Sequence, residues 1–343
     1  MGTFTKICSI ILVLVLLSAA GVWFAFETYT RSPMSSEPRE IPLVVPEGAS
    51  FNQVIEDMAR QGAVKYPYVF QLMVRIKKQQ HNLKAGEYML NTGWTPERLL
   101  KELVTGKGVL YTLSFQEGLT WWQIADIVQQ QGFAKAEDFA KVIHDPEFLK
   151  KHNIPFSNAE GFLFPETYKL NKPQTMNMDA AKKVADMLVL TFWQKTASLW
   201  GDHKPSPEEL RKVIILASLV EKETGVPAER DTVAGVYANR LEMGMRMQAD
   251  PTIIYGIGKD FNGDITRADI RNKKNIYNTY QHRGLPPGPI CSPGLEAIRA
   301  ALHPAKHKYL FFVSRGDGSH KFSKTLKEHN KAVRKYQLSR KKK

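Results

Sequence analysis

Cysteine is nearly absent from this sequence, whose 343 residues include only Cys8 and Cys291. Cys8 lies within an apolar N-terminal run, which argues against a disulfide with Cys291. Neither cysteine belongs to a Cys-x-x-Cys pair, and Ile7 stands where a lipidated cysteine needs a small residue before it. These absences argue against a disulfide-stapled fold, a zinc-thiolate site and a lipoprotein.

The nine histidines form no convincing cluster either. His303 and His307 stand four residues apart, but Pro304 interrupts the helical turn that would place them on one face. We therefore expect no metal ion and no cofactor.

Acidic residues are in deficit, with 34 Asp and Glu against 48 Lys and Arg, which gives a formal net charge of +14. A basic surface attracts anionic partners such as nucleic acid, acidic lipid headgroups or a cell-wall polymer. Charge alone does not choose among them, although no nucleic-acid-binding motif is recognisable. The tail Arg340–Lys343 is interpreted as a frayed, solvated end.

A run of about 20 uncharged, mostly apolar residues extends from Ile7 to Phe26, the length that a helix needs to cross a bilayer. It predicts an uncleaved anchor at 7–26, a cytoplasmic segment at 1–6 and a tether at 27–40. The alternative is a signal peptide cleaved after Ser18–Ala20, although such peptides have apolar cores of roughly 7–15 residues. Either interpretation exports the rest of the chain and argues against a nucleic-acid partner.

An internal repeat follows the tether. Residues 43–62 align without gaps on residues 113–132, and each copy is predicted to fold as a strand, a turn and a helix capped by Ser50 or Thr120. The identical pairs are Leu43/Leu113, Glu47/Glu117, Gly48/Gly118, Gln53/Gln123, Gln61/Gln131 and Gly62/Gly132. We expect one subdomain at 41–107 and a second related α/β repeat at 108–157.

A third region, 158–343, is predicted to be mostly helical with a small β-hairpin. Ser206 and Pro207 form a strong helix start, and Gly225 suits the stop. Glu223 shares a helix face with Leu219 and Val220, so loss of water and the negative helix end are expected to raise its pKa. Such a carboxyl suits a general acid near neutral pH, whereas a solvated helix end is the ordinary alternative.

Several short sequence blocks follow one another in this region. They are Leu219–Gly225, Glu229–Asp231, Asn239–Leu241, Met245–Thr252, Tyr255–Gly256, Tyr277–Tyr280, Gly284–Ile290, Ser292–Gly294, Ala300–Pro304 and Tyr309–Val313. In this order they resemble the YceG-like family of endolytic murein transglycosylases. The resemblance covers nearly the whole chain and is densest from Leu216 to Val313. The segment 41–107 also resembles a LysM module, a small βααβ unit that binds N-acetylated glycans. The alternative is a small α+β repeat that only packs against its neighbour.

The resemblance implies an α+β fold with an N-terminal transmembrane helix, LysM-like α/β subdomains and a mostly helical, lysozyme-like catalytic domain. It implies an enzyme that cleaves MurNAc–GlcNAc bonds of nascent glycan strands without water, leaving 1,6-anhydroMurNAc ends and terminating strand elongation. Glu223, followed by Thr224, matches the Glu-Ser signature of related enzymes and is the implied acid/base. The implied location is the inner membrane, with the catalytic domain in the periplasm and peptidoglycan synthases as partners.

Other residues are candidates to bind the glycan. They are Thr224, Gln248, Asp250, Tyr255, Tyr277, Asn278 and Tyr280. The tyrosines offer rings and hydroxyls, the asparagine suits an N-acetyl group, and each residue has a structural role as its alternative. Glu229, Arg230 and Arg240 are interpreted as an ion-pair scaffold. Two residues depart from the expected pattern, Ala249 in place of a hydroxyl residue and Cys291 in place of a smaller one.

Two alternatives compete with this function. A membrane-anchored peptidoglycan-binding protein would need no catalytic Glu223. A hydrolytic muramidase would need a second carboxylate, for which Asp250 and Glu229 are candidates.

Overall fold

The computed structural model of the protein describes residues 2–106 and 108–338. The chain folds into two compact units, the first comprising Met1–Thr112 with Lys169–Gln174, and the second comprising Leu113–Tyr168 with Thr175–Lys343. Helices dominate, and the strands of the described residues form small two-stranded sheets, in agreement with a mixed α and β fold. The basic tail lies outside the described residues.

Helix α1 spans Gly2–Arg31 and begins the first unit. Its segment Lys6–Arg31 has a mean hydropathy of 2.6 in its most apolar stretch, which is not buried against the rest of the protein. An exposed apolar helix of this length matches the hydrocarbon core of a bilayer. The described helix therefore has the length and composition predicted for the anchor at 7–26.

The rest of the first unit folds in the order strand, helix, helix, strand, helix. Strand β1 pairs antiparallel with β2, and the two helices between them bury Phe51, Ile55 and Phe70 in a shared core. The elements are β1 (Glu40–Val45), α2 (Phe51–Arg60), α3 (Pro67–Ile76), β2 (Gly86–Asn91) and α4 (Pro96–Thr105). This order is the one predicted for 41–107, and sugar binding by it stays a prediction.

The sequence repeat is also a conformational repeat. Ser50 and Thr120 each form a capping box with the glutamine three residues later, Gln53 and Gln123. The repeated glycines occupy the left-handed region, with φ of 77° at Gly48, 79° at Gly118, 76° at Gly62 and 78° at Gly132. The identical residues thus mark the positions where each copy caps or turns.

The second copy belongs to the second unit and begins a largely helical fold. Its helix α5 packs against α6, which in turn packs against the long helix α8. The elements are β3 (Tyr111–Ser114), α5 (Trp121–Gln130), α6 (Ala136–Ile143), α7 (Pro146–Lys151), β4 (Thr167–Leu170) and α8 (Met178–Trp200). Sequence reasoning misses α6, α7 and the 23-residue helix α8.

Helix α9 (Pro207–Glu223) forms the centre of the second unit and ends where it was predicted to end. Ser206 caps its start, and its middle turns are buried on all sides, including Leu216, Leu219 and Val220. A helix that is apolar all round has to be enclosed by others. Those around it are α10 (Arg230–Glu242), α11 (Asp250–Ile257) and α13 (Leu295–Leu302), while α12 (Arg267–Arg271) is a single short turn.

The predicted C-terminal hairpin is present. Strands β5 (Phe311–Ser314) and β6 (His320–Ser323) pair antiparallel, with Ser314 opposite His320. Helix α14 (Leu326–Val333) follows and packs on both strands. The hairpin is thereby held beside α10, where its residues reach the end of α9.

A buried carboxyl lies under the start of α5. Glu160 is only 1% exposed, and its Oε2 accepts a hydrogen bond of 3.0 Å from the Trp121 backbone N–H. Burial raises the pKa of Glu160 to about 8, and the Trp121 N–H offsets this only in part. The folded protein therefore keeps a proton on Glu160 at pH values where the unfolded chain has lost it.

This difference predicts a pH-dependent stability. The contribution of Glu160 is complete below the ordinary pKa of 4.5 and declines as the pH rises towards 8. We expect the Glu160→Gln variant of the full chain in detergent to lose less thermal stability than the wild type between pH 5 and pH 8. The exposed Glu137→Gln is the control and should follow the wild-type curve. Parallel curves for Glu160→Gln and the wild type would contradict the buried proton.

Candidate active site

A cavity of about 540 Å³ opens where the end of α9 meets α10, the start of α11 and the C-terminal hairpin. Several ionisable or polar side chains face it together, although they come from distant parts of the sequence. They are Glu223, Tyr237, Arg240, Asp250, Tyr280 and His320. Apolar residues of the hairpin and of α14, such as Phe312 and Leu326, complete the wall. A concave site with a few convergent polar groups is the usual form of a catalytic pocket.

Glu223 is the last residue of α9 and brings a carboxyl to this cavity. Burial raises the pKa of Glu223, and the nearby Asp250 carboxylate raises it further. The predicted apolar support is present, because Leu219 and Val220 are completely buried one turn back along α9. Glu223 is therefore placed and tuned to hold a proton.

Glu221 stands two residues earlier and has a different role. Its Oε2 accepts a hydrogen bond of 3.0 Å from the Gly294 backbone N–H at the start of α13. Burial also raises the pKa of Glu221. A raised pKa therefore does not distinguish Glu223 from Glu221. Their positions do, because Glu223 is among the described residues that line the cavity and Glu221 is not.

Tyr237 holds the Glu223 carboxyl in place. Its hydroxyl donates a hydrogen bond of 2.9 Å to Glu223 Oε1, and its side chain is only 1% exposed. Burial raises the pKa of Tyr237 well above its ordinary value, so the hydroxyl keeps its proton and acts as donor. Sequence reasoning misses Tyr237; the available signal is a lone hydroxyl among Val233, Ala234 and Val236 on a buried helix, since a buried hydroxyl needs a partner.

Asp250 and Tyr280 form the opposite side of the cavity. The Tyr280 hydroxyl donates a hydrogen bond of 2.6 Å to Asp250 Oδ1. Gln248 precedes them in a left-handed conformation, with φ of 51°, which is uncommon for a residue with a Cβ. Such backbone conformations concentrate at functional sites. Gln248, Asp250 and Tyr280 therefore lie together beside Glu223, as the glycan-binding hypothesis requires.

Arg240 connects the elements around the cavity through carbonyl groups. Its guanidinium donates to Met247 O at 2.6 Å, to Arg246 O at 3.3 Å and to Leu310 O at 2.7 Å. The interpretation of Arg240 as an ion-pair residue is therefore replaced by a hydrogen-bonding role. Arg230, by contrast, lies 3.6 Å from Glu117, the repeated glutamate of the second copy.

The turn of the second repeat supports the end of α9. Lys222 Nζ donates to Gly118 O at 3.2 Å, and Gly118 N–H donates to Ser292 O at 2.8 Å. Ser292 N–H returns a hydrogen bond of 2.7 Å to Leu119 O. Lys222, the residue before Glu223, is thus hydrogen-bonded to the turn of the second repeat.

The remaining predicted site residues lie elsewhere. The buried Asn278 amide donates to the carbonyls of Asp269, Ile270 and Asn272, and Thr224 Oγ1 accepts from the Val226 N–H at 3.1 Å. Tyr255 and Tyr277 pack on each other with ring centroids 4.7 Å apart, and Tyr255 also packs on Trp122. None of these four predicted residues is among the described lining of the cavity. Their contact with substrate stays a prediction.

The two residues that depart from the expected pattern, Ala249 and Cys291, are both buried. Ala249 is buried, and its N–H donates to Thr279 Oγ1 at 3.0 Å while its carbonyl accepts from Thr252 Oγ1 at 2.6 Å. Cys291 is buried against Ser218. No group of three or more histidine, cysteine, aspartate or glutamate side chains placed to hold a metal occurs within residues 2–106 and 108–338.

The model of the YceG-like family matches residues 43–335. The chain belongs to this family. It is 32% identical over 311 residues to the endolytic murein transglycosylase of Bacillus subtilis (strain 168), covering 85% of this chain and 83% of that protein. It is 29% identical over 360 residues to the endolytic murein transglycosylase of Streptococcus pneumoniae serotype 2 (strain D39), covering 95% of this chain and 64% of that protein.

A solved structure has the same fold. The crystal structure of the YceG-like protein lmo1499 from Listeria monocytogenes aligns with a TM-score of 0.54 and 29% sequence identity. The alignment covers 86% of this chain and 99% of that one. This solved structure of a YceG-like protein therefore supports both the family membership and the mixed helix and strand fold.

The contact between Tyr237 and Glu223 predicts a measurable pKa change. A hydrogen bond to a carboxylate favours its charged form, so Tyr237→Phe is expected to raise the pKa of Glu223 further. Carbon NMR of glutamate carboxyls, with Glu223→Gln to assign the resonance, measures it. Tyr168→Phe, which removes a hydroxyl bonded to Phe164 O, should leave that pKa unchanged. An unchanged or lower value in Tyr237→Phe would contradict the assignment.

Proposed function

We propose that this protein is a lytic transglycosylase that cuts peptidoglycan glycan strands internally, with Glu223 as its acid/base. The observation that carries the proposal is the Glu223 carboxyl, which is shielded from water and accepts a hydrogen bond from Tyr237. It lies in a cavity that Asp250 and Tyr280 also line. The relatives named endolytic murein transglycosylases support the same reaction class. The substrate is the β-1,4 bond between MurNAc and GlcNAc in nascent strands, whose elongation the cut terminates.

Glu223 carries out both proton transfers. In its protonated form it donates to the glycosidic oxygen, and the bond from MurNAc C1 to that oxygen breaks with its electron pair going to the leaving sugar. The carboxylate of Glu223 then accepts the proton of the C6 hydroxyl of the same MurNAc while O6 bonds to C1. The product is a 1,6-anhydroMurNAc end, and Glu223 is again protonated. The raised pKa of Glu223 favours the starting state of this cycle.

The surroundings of the other acidic residues favour this reaction over a two-carboxylate hydrolysis. Glu229 already accepts hydrogen bonds from His320, and Asp250 accepts one from Tyr280. A hydrolase uses a second carboxylate to activate water or to attack C1, and here both candidates already have other hydrogen-bonding partners. Gln248, Asp250 and Tyr280 are therefore assigned to glycan binding, and Thr224, Tyr255, Tyr277 and Asn278 to support or more distant sugar contacts.

Helix α1 is proposed to anchor the enzyme in the inner membrane by a single pass. Residues 1–6 lie in the cytoplasm, 27–40 form the tether, and the body faces the periplasm. The LysM-like part at 41–107, the repeat at 108–157 and the catalytic part at 158–343 are the proposed divisions. An anchored site meets glycan strands where peptidoglycan synthases produce them, which makes these synthases the expected protein partners.

Product analysis tests the function. Purified sacculi digested with the full-length protein in detergent are expected to yield internal fragments with 1,6-anhydroMurNAc ends by mass spectrometry. Glu223→Gln should abolish them. Glu221→Gln, which keeps an acceptor for the Gly294 N–H, should retain activity. Reducing ends would indicate a muramidase, and the absence of products with retained glycan binding would indicate a binding protein.

The pH dependence tests the tuning of Glu223. Because the reaction starts from protonated Glu223, kcat/KM is expected to fall as the pH rises through its raised pKa. The Asp250 carboxylate raises that pKa, so Asp250→Asn should move the basic limb of the profile to lower pH. Steady-state rates on soluble glycan strands between pH 4 and pH 9 measure the limb. A limb that stays in place or moves upward would contradict the role of Asp250.

A further inference from the structure

A histidine and a glutamate form a second polar pair at the cavity. The backbone N–H of His320 donates to Glu229 Oε1 at 2.9 Å, and His320 Nδ1 lies 2.7 Å from Glu229 Oε2. The side chains are only 11% and 16% exposed. Two contacts from one carboxylate fix both the strand and the ring.

The pair connects the hairpin to the segment that follows Glu223. Glu229 ends the short 3₁₀ turn Pro227–Glu229, which comes directly after α9, and His320 is the first residue of β6. Phe312 packs edge-on against the imidazole, with centroids 5.4 Å apart. The ring therefore has a fixed orientation relative to the end of α9.

The other ring nitrogen of His320 is available. His320 lines the cavity that Glu223 also lines. Because a carboxylate only accepts hydrogen bonds, Nδ1 carries a proton as the donor to Glu229. Within the described part of the chain, Nε2 makes no hydrogen bond. An imidazole nitrogen at a cavity, with no protein partner, can exchange a hydrogen bond with a ligand bound there.

We propose that His320, oriented by Glu229, hydrogen-bonds through Nε2 to a hydroxyl group of the sugar bound at Glu223. This inference rests on the proposed function for the identity of the ligand. It makes Glu229 a positioning residue, because it touches His320 and not the glycan. A histidine held at one nitrogen by a carboxylate presents the other nitrogen in a fixed orientation, as metal-binding histidines held by a carboxylate do.

Two amide substitutions test the roles of the two ring nitrogens of His320 separately. The side-chain amide of His320→Asn reaches about as far as Nδ1, so it keeps a donor for Glu229 but has nothing at the Nε2 position. The longer His320→Gln places a polar group near Nε2. We expect kcat/KM on soluble glycan strands to fall about tenfold in His320→Asn, with its melting temperature close to that of the wild type. His320→Gln should recover part of that loss.

Coupling and binding measurements complete the test. Glu229→Gln alone should lower kcat/KM, but in the His320→Asn background it should add little, since its effect passes through His320. His203→Asn is the matched control, because His203 pairs with Glu209 on the surface, and it should keep wild-type kinetics. In the inactive Glu223→Gln background, His320→Asn should weaken the binding of a MurNAc–GlcNAc tetrasaccharide by about tenfold.

The outcomes distinguish this inference from the proposed function. Wild-type kinetics and binding in a folded His320→Asn variant would overturn the inference and leave the transglycosylase intact. Loss of tetrasaccharide binding in a protein that makes no anhydro ends would keep the sugar contact and overturn the reaction. If His320→Asn unfolds, His320→Gln is compared with His320→Leu at a temperature where both are folded. Higher activity of the Gln variant supports the contact, and equal activity refutes it.

Discussion

The burial of helix α9 is the constraint on which the site depends. Its middle turns, residues 213–220, are buried on every side, so packing fixes the direction of the helix and the position of its final residue. That residue, Glu223, reaches the cavity with apolar neighbours behind it. The cost of taking its charge out of water appears as a raised pKa, which is the property that a proton donor needs. The burial of α9 therefore both fixes the position of Glu223 and raises the pKa of its carboxyl.

Three consecutive residues at the end of α9 each contact a different part of the structure. Glu221 binds the Gly294 N–H at the start of α13, Lys222 binds the Gly118 carbonyl in the second repeat, and Glu223 faces the cavity. The first two contacts hold the helix end from two directions. The turn of the second copy thus supports the unit that contains the cavity, whereas the first copy belongs to the other unit.

Local signals in the sequence predict much of the fold. The helix N-caps at Ser50 and Thr120, the start of α9 at Ser206 and the C-terminal hairpin were predictable from neighbouring residues alone. Helix α8 is missed although its buried residues recur every three or four positions, so its signal was present. The contacts of Glu223 with Tyr237 and of Glu229 with His320 join residues 14 and 91 apart in sequence, and only packing brings them together.

The proposed reaction places strict demands on the neighbours of Glu223. In that reaction the same carboxyl gives a proton and takes one back, so it has to keep its position in both charge states. Tyr237 donates to the carboxylate and lowers its pKa, while burial and Asp250 raise it. These opposed effects keep the two states closer in free energy than burial alone would. The hydrogen bonds of Arg240 to backbone carbonyls and of Tyr280 to Asp250 connect the walls of the cavity, so the groups around Glu223 are positioned before a substrate binds.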